Sequence, residues 1–369
     1  MADKWIFTDN PVVFFEDNAI GRMKKELWDA SDEEIDRILK EDYELPSESE
    51  LGKAGCYIQN TPRCKVVEKR KKNDIVLVPC GCTENHGMHN PSGLDTFMVT
   101  QICEGVRRYT AKKGYEVNLA FTPLNYGGHP YHHGGMPGTC IIPEETVKEM
   151  LVYTIAGLWD DGFRKIILVN NHGQRWIMES AVQDFFRRFQ MPAFVTIVEW
   201  HRAIREFFYP VDDHKNAMTT HFVHADEAET AVANYLFPEM VDMSACVDAQ
   251  SKPLFMQGYY DNSVDGYHRP HAWSEGVGHT TIERLGTPEG VVGYPSRGTA
   301  EKAKRPVAAI CRYLTLMIDQ ILEAYPPGTV PPASKITFRS DEYVEPFLRE
   351  PLSEGWKSLH ELDKFGYFN

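Results

Sequence analysis

A three-layer α/β/α fold with a mainly parallel central sheet is predicted by three features of the sequence. Apolar runs of strand length alternate with amphipathic stretches of helix length from about residue 71 to 325. One run, Lys165–Asn170 (KIILVN), is apolar almost throughout, as a strand buried on both faces requires. Another, Ile75–Val78, breaks into a loop dense in Gly, Asn and Pro before the next helix. That is the arrangement in which open α/β sheets carry their sites.

Taken in order, residues 1–70 read as a polar N-terminal extension. A short acidic helix is expected over Ser31–Glu41, where Ser31 followed by Glu34 fits a capping box, and Pro46–Glu50 reads as a linker. After the strand Ile75–Val78, Thr96–Lys113 forms a helix closed by Gly114, and Glu116–Phe121 a second strand. Glu144–Asp161 is a helix with Pro143 suited to its first turn, and its Val147, Met150, Leu151, Ile155 and Leu158 recur at helical spacing. Gly162 ends it ahead of KIILVN; the helix Trp176–Phe189 and the strand Phe194–Glu199 follow. Such alternation implies right-handed βαβ units. Between 243 and 290 the pattern dissolves into Gly, His and aromatic residues, read as an insertion near the site. Ala300–Ala324 is a strong amphipathic helix. Prolines then mark off a C-terminal arm, 326–369, bearing Phe347, Trp356, Tyr367 and Phe368. Such an arm either clasps a neighbouring subunit or packs on its own domain.

Length and composition bound the function. With 369 residues, 42% hydrophobic and 25% charged, the chain can bury a sizeable core. A net charge of −14 argues against a nucleic-acid surface, and the one basic tract, Lys69–Lys72, reads as a solvated face. No apolar run approaches the ~18 residues of a membrane span, and the start does not read as a signal peptide. The eight cysteines show no CxxC pair. Cys80 and Cys82, two apart, suit small buried side chains on one strand face. The expectation is a cytoplasmic protein with reduced thiols and no membrane partner.

Four polar clusters remain. The loop after Ile75–Val78 carries Glu84, His86, His89 and Asp95 within twelve positions. Carboxylates mixed with imidazoles favour Zn²⁺, Mn²⁺ or Fe²⁺ over Mg²⁺ or Ca²⁺. His172 leaves the end of KIILVN in a Gly-containing turn, as a ligand or as a hydrogen-bonded structural residue. A helix from His224 to about Phe237 opens with Asp226 and Glu227, acids that suit the helix dipole. Glu229, one turn on, lies beside Ala231, Val232 and Ala233 and needs a partner, because an unpaired buried carboxylate is costly. The stretch Tyr126–Thr139 holds five glycines and three histidines. Turn chemistry accounts for the glycines but not for His129, His132 and His133.

In order, TENHG…GLD, HHGGMPGT, NNHG, HADEAET and GVVGYP make a set that resembles the signatures of the creatininase superfamily, metal-dependent amidohydrolases and related hydrolases. The resemblance spans about residues 75–300 and leaves out both extensions. It implies two divalent ions, Zn or Mn with Fe also compatible. Glu84 and His172 would hold one, His86 and Glu229 the other, and Asp95 would bridge them. It also implies His224 as the catalytic acid/base, His133 beside it, and a hexamer-like homo-oligomer. Two divalent ions can activate a shared water and polarise a carbonyl.

Three departures bear on the substrate. Gln174 stands where creatininase has a Glu two places after the third-motif His, which argues against creatinine. Tyr294 replaces the Asp common before the last motif's Pro, and the insertion and extensions are long. The chain looks most similar to the branch that opens a cyclic diketo-inositol by C–C hydrolysis. A small polyhydroxylated ring would then be lined by Thr139, Gln174 and Tyr126. Hydrolysis of a C–N bond in a cyclic amide or formamide is the alternative, and a non-catalytic metal- or sugar-binding protein is a third reading.

Overall fold

The computed structural model describes residues 4–120, 123–129, 133–250 and 282–362. Most of the expected insertion lies outside them, as do His132, Tyr367 and Phe368. The chain opens with a hairpin, β1 (Trp5–Phe7) and β2 (Phe14–Glu16), then α1 (Ala19–Asp29) and α2 (Asp32–Arg37), which runs on as a π-helical turn, and α3 (Arg63–Arg70). The main sheet and its helices follow: β3 (Ile75–Cys80), α4 (Leu94–Lys112), β4 (Asn118–Leu119), α5 (Glu144–Asp160), β5 (Lys165–Asn170), α6 (Arg175–Phe189), β6 (Phe194–Glu199) and the short α7 (Trp200–Ala203). The chain continues through α8 (Glu227–Leu236), α9 (Glu283–Gly286), α10 (Ala300–Ala324), α11 (Ala333–Ile336) and α12 (Asp341–Leu348). None of the described helices is long and apolar enough to cross a membrane.

The sheet order is β4-β3-β5-β6, all parallel, with Cys80 level with Asn170 and Asn170 with Glu199. Alternation along the strands divides two cores. Ile75, Leu77, Ile167 and Val169 face one layer with α4, α8 and α10. Val76, Val78, Ile166 and Leu168 face the other with α5 and α6. The three-layer expectation therefore holds. From β3 the chain passes to β4 on one side and then returns to β5 on the other, so the strand order reverses between β3 and β5. At such a point the loops at the strand C-termini splay and leave a crevice.

At the opposite end of β5, Lys165 is 1% exposed and its Nζ lies 2.7 and 2.9 Å from the two carboxylate oxygens of Asp74, itself 3% exposed. Lys165→Met would leave Asp74 buried without its counter-charge. A stability loss of about 3–5 kcal/mol is expected, read as a lower midpoint in denaturant unfolding.

Several sequence expectations need correction. The Pro46–Glu50 stretch is not a solvated linker: Glu50 is 2% exposed and accepts from Nε and Nη2 of Arg107 at 3.1 and 2.7 Å. The polar leader holds the helix α1, whose Leu27 and Trp28 join the same core as α10. Ser31 accepts from the Glu34 amide as the expected cap. The basic tract is partly structural, since Lys69 pairs with Glu116 at 2.9 Å and the buried Arg70 with Glu350 at 2.6 Å. In the C-terminal arm, Val344 and Phe347 are buried in the α5–α6 core, and Arg164 donates to the Phe347 carbonyl at 2.8 Å. The described part of the arm thus packs on its own domain.

Candidate metal centre

Loops from the β3 and β5 ends meet the N-terminus of α8 at the crevice. Glu84, His86, Asp95, His172 and Glu229, separated by up to 145 positions, converge there, each no more than 5% exposed. His86 Nε2 lies 3.7 Å from Asp95 Oδ1 and 3.7 Å from Glu229 Oε2. His172 Nδ1 lies 3.0 Å from Glu84 Oε2 and 3.4 Å from Asp95 Oδ2. One Asp95 oxygen thus faces each imidazole.

Local structure aims these groups. His86 Nδ1 donates to the Glu84 carbonyl at 3.0 Å, which leaves Nε2 as the lone-pair nitrogen. Asp226 caps α8, its Oδ1 accepting from the amides of Ala228 and Glu229 at 2.9 and 3.1 Å, and its Oδ2 from Val223 at 2.6 Å. Ala225 adopts φ +47, a conformation L-residues rarely take, and its amide donates to Glu229 Oε2 at 2.5 Å. Asn171 donates to Asp95 Oδ1 and accepts from the Trp200 indole, steadying the carboxylate from behind. The last motif supports the site from outside. Gly290, at φ +66, passes so close that a Cβ would sit 1.7 Å from Asn85 Oδ1, and a Cβ on Gly293 would meet that of Asp226 at 2.6 Å.

Electrostatics mark a pocket short of positive charge. Burial pushes Glu84 up, but His172, His224 and His133 outweigh it and hold its carboxyl well below the usual range. Asp95 is likewise held at about 2, with His86 and His172 prevailing over burial. His172 rises to about 10, because Glu84 and Asp95 outweigh its own burial. Glu229 is driven well above the carboxylate range by burial, Asp95 and Asp226. Divalent cations would supply that missing charge. The donors fit them. Two ligands about 2.1 Å from a tetrahedral ion stand about 3.4 Å apart, close to the 3.0–3.7 Å separations here. His86 Nε2 is buried without a hydrogen-bond partner among the described residues. Removing cations with a chelator is therefore expected to lower the thermal midpoint, and Zn²⁺ or Mn²⁺ to restore it. At a thousandfold excess over Kd the stabilisation is about 4 kcal/mol.

The other expected residues divide. His224 enters the site, its ring 4.7 Å from that of His86, with Nε2 2.8 Å from the Asn85 carbonyl. A backbone bridge to Val292 holds its strand segment. His133 Nδ1 lies 3.1 Å from Glu84 Oε1, and the ring of His129 lies 4.5 Å from that of His172, tilted by 56°. His89 is buried but turns away, bonding Thr230 Oγ1 at 2.9 Å. Gln174, expected in the pocket, is instead a loop tie. Its Oε1 accepts from Gly128 N at 3.1 Å while Nε2 donates to Gly81 O and Asn170 Oδ1 at 3.2 and 3.0 Å. A carboxylate could not make both kinds of bond. Thr139 Oγ1 accepts from Asn85 N at 2.9 Å, bracing the Glu84–His86 loop, and Tyr126 is 51% exposed.

Three residues depart from what the sequence leads one to expect. Cys82 lies beyond the strand, its Sγ 2.8 Å from Asp95 Oδ2, and joins Glu84, His129 and His172 as a group able to hold an ion. Glu227 is not a dipole acid at the surface. It is fully buried and gripped by Thr219, Thr220 and Lys302. Glu283, outside every motif, has Oε1 3.6 Å from His224 Nε2.

The family model described as Creatininase: Creatinine amidohydrolase matches residues 60–318. A 3-dehydro-scyllo-inosose hydrolase of Thermotoga maritima is 40% identical over 306 residues, covering 83% of this chain and 96% of that protein. A creatinine amidohydrolase of Pseudomonas putida is 23% identical over 195 residues, 47% of this chain and 68% of that one. Among solved structures, a manganese creatininase superposes with a TM-score of 0.54 at 19% identity, covering 74% of this chain and 99% of its own. A zinc–zinc creatininase variant gives 0.51 at 19% identity, covering 72% and 95%.

Proposed function

This chain belongs to the creatininase family, and from that premise we propose that it hydrolyses a cyclic diketo-inositol, 3-dehydro-scyllo-inosose, at a C–C bond. The near-full-length likeness to the inosose hydrolase carries the substrate. In this reading Glu84 and His172 would hold one divalent ion, zinc or manganese, His86 and Glu229 would hold a second, and Asp95 would serve both. When bound, such a pair supplies an activated water and an electrophilic contact for a carbonyl oxygen.

The chain's own residues do the rest. Water adds to one ring carbonyl, and the bond to the carbon between the two carbonyls breaks. Its electron pair passes into that carbon as the enolate of the second ketone. Protonation of the carbon gives a ring-opened keto acid. His224 is the proton carrier: its Nε2–H bonded to the Asn85 carbonyl leaves Nδ1 as the nitrogen that exchanges protons. His133, 3.1 Å from Glu84, flanks the same carboxylate and serves the pocket.

Incubating the metal-loaded protein with the cyclic diketone should yield a product heavier by one water and bearing a new carboxylate. Inertness towards it, with release of ammonia, amine or formate from cyclic amides or formamides, would overturn the reading in favour of C–N hydrolysis. A cytoplasmic location belongs to the same proposal and is supported by eight unpaired thiols. So does self-association. The outer face of the hairpin, with Phe7 66%, Val12 63% and Phe14 44% exposed, supports it, and light scattering would read it.

A further inference from the structure

We propose that Glu283 is a positioning residue for His224: it orients the imidazole and holds the counter-charge that forms when that ring takes up a proton. The inference rests on His224 being the proton carrier, but not on which bond is cleaved.

Three observations carry it. Glu283 is 1% exposed, although nothing in its local sequence calls for a buried acid. It opens the four-residue α9, and the Glu283 carbonyl accepts from the Thr287 amide at 2.6 Å, so its backbone is fixed. Its Oε1 stands 3.6 Å from His224 Nε2, while Oε2 is buried with no hydrogen-bond partner among the described residues. A carboxylate in that position is costly unless a positive charge lies beside it: burial pushes the Glu283 carboxyl up to about 7, and His224 is the group that most draws it back down.

The His224 ring offers that charge on one edge. In the neutral ring Nε2–H donates to the Asn85 carbonyl at 2.8 Å, which sets the tautomer. When Nδ1 then takes a proton, the ring becomes an imidazolium with Nε2 already facing both a carbonyl and a carboxylate. The carbonyl contributes in both protonation states, whereas the carboxylate favours the charged one. Glu283 therefore acts where charge develops, at the Nε2 edge of the ring. His–carboxylate pairs use the same division of labour to orient a base and stabilise its protonated form. Glu283 need not touch substrate.

Two variants test this in the metal-loaded, full-length protein. Glu283→Gln keeps the shape and removes the charge. Its kcat should fall about 10–100-fold while KM stays within about threefold and metal content is unchanged, as for a group acting through the catalytic ring. Unaltered kcat, or a loss confined to KM or to metal content, would overturn the proposal. Glu283→Ala opens a space beside Nε2. Added formate should raise its kcat, and crystals soaked in formate should show the ion within hydrogen-bond reach of His224 Nε2. A purely structural role would give neither result, and an empty space at saturating formate would overturn the proposal. The soak needs no substrate, so it decides the matter even if the wild-type protein proves inert to the cyclic diketone, a result that would sink the functional reading alone.

Discussion

Replacing Asp95 by alanine is expected to strip both cations from the purified protein and to cut turnover by about three orders of magnitude, ~4 kcal/mol of barrier. The reason is the split of its two oxygens. Oδ1 faces His86 Nε2 at 3.7 Å and Oδ2 faces His172 Nδ1 at 3.4 Å, so one side chain serves both halves of the cluster. Its supports would be stranded too, because the Asn171 amide and the Cys82 thiol both bond this carboxylate. Metal analysis of the variant after gel filtration is the measurement. Two ions per chain would contradict the bridging role, and one ion would restrict Asp95 to a single half. Activity alone is the poorer readout, since many substitutions here would lower it.

His224→Ala should behave in the opposite way: metal content near normal, with kcat lower by about 10²–10⁴-fold. His224 borders the cluster, a nitrogen of its ring within 4.8 Å of ligand atoms of Glu84 and His86, but its Nε2 is engaged by the Asn85 carbonyl and faces Glu283, and it is not one of the five ligands. Removing the ring leaves Glu84, His86, Asp95, His172 and Glu229 in place. Steady-state kinetics beside metal analysis would separate the two variants. Survival of turnover would move the proton-carrier role to His133, whose Nδ1 lies 3.1 Å from Glu84 Oε1.

The contrast between what could and could not be read from the letters follows the range of the forces involved. β5, β6 and α10 were found with their observed boundaries because burial on one or two faces writes a period into contiguous residues. The five candidate ligands could be named in advance only because their motifs, taken in order, resemble those of a known family; alone, the turn bearing His172 left its role open. Glu50 was misread because its partner Arg107 lies 57 positions away. Nothing near a Pro-Ser-Glu-Ser-Glu run announces a buried acid. Asp226 and Glu227 have the composition of a solvated first turn, and only the tertiary fold buries them against Val223, Thr219 and Lys302. Cys82 departs from the strand-face expectation because β3 ends at Cys80, so its thiol leaves the strand alternation and reaches Asp95. Glu283 carries no local signal at all. Gln174 shows the converse: nothing in a polar residue beside a motif tells that Gly128, Gly81 and Asn170 hold both ends of its amide.

The buried polar ties between the leader and α4 bear on how this protein should be cut for study. The Tyr57 hydroxyl and Glu50 amide bond Glu104 at 2.8 and 3.0 Å, Glu50 pairs with Arg107, and the carbonyls of Tyr43 and Glu44 receive Arg108 at 3.0 and 3.1 Å. A recombinant fragment beginning near residue 60 would strand the Arg108 guanidinium and the Glu104 carboxyl along one helix and leave Arg107 there with Glu116 alone, and Asp95 sits in that helix's first turn. Such a fragment should express poorly and bind cations weakly, so the leader belongs in any version made for crystallisation or assay.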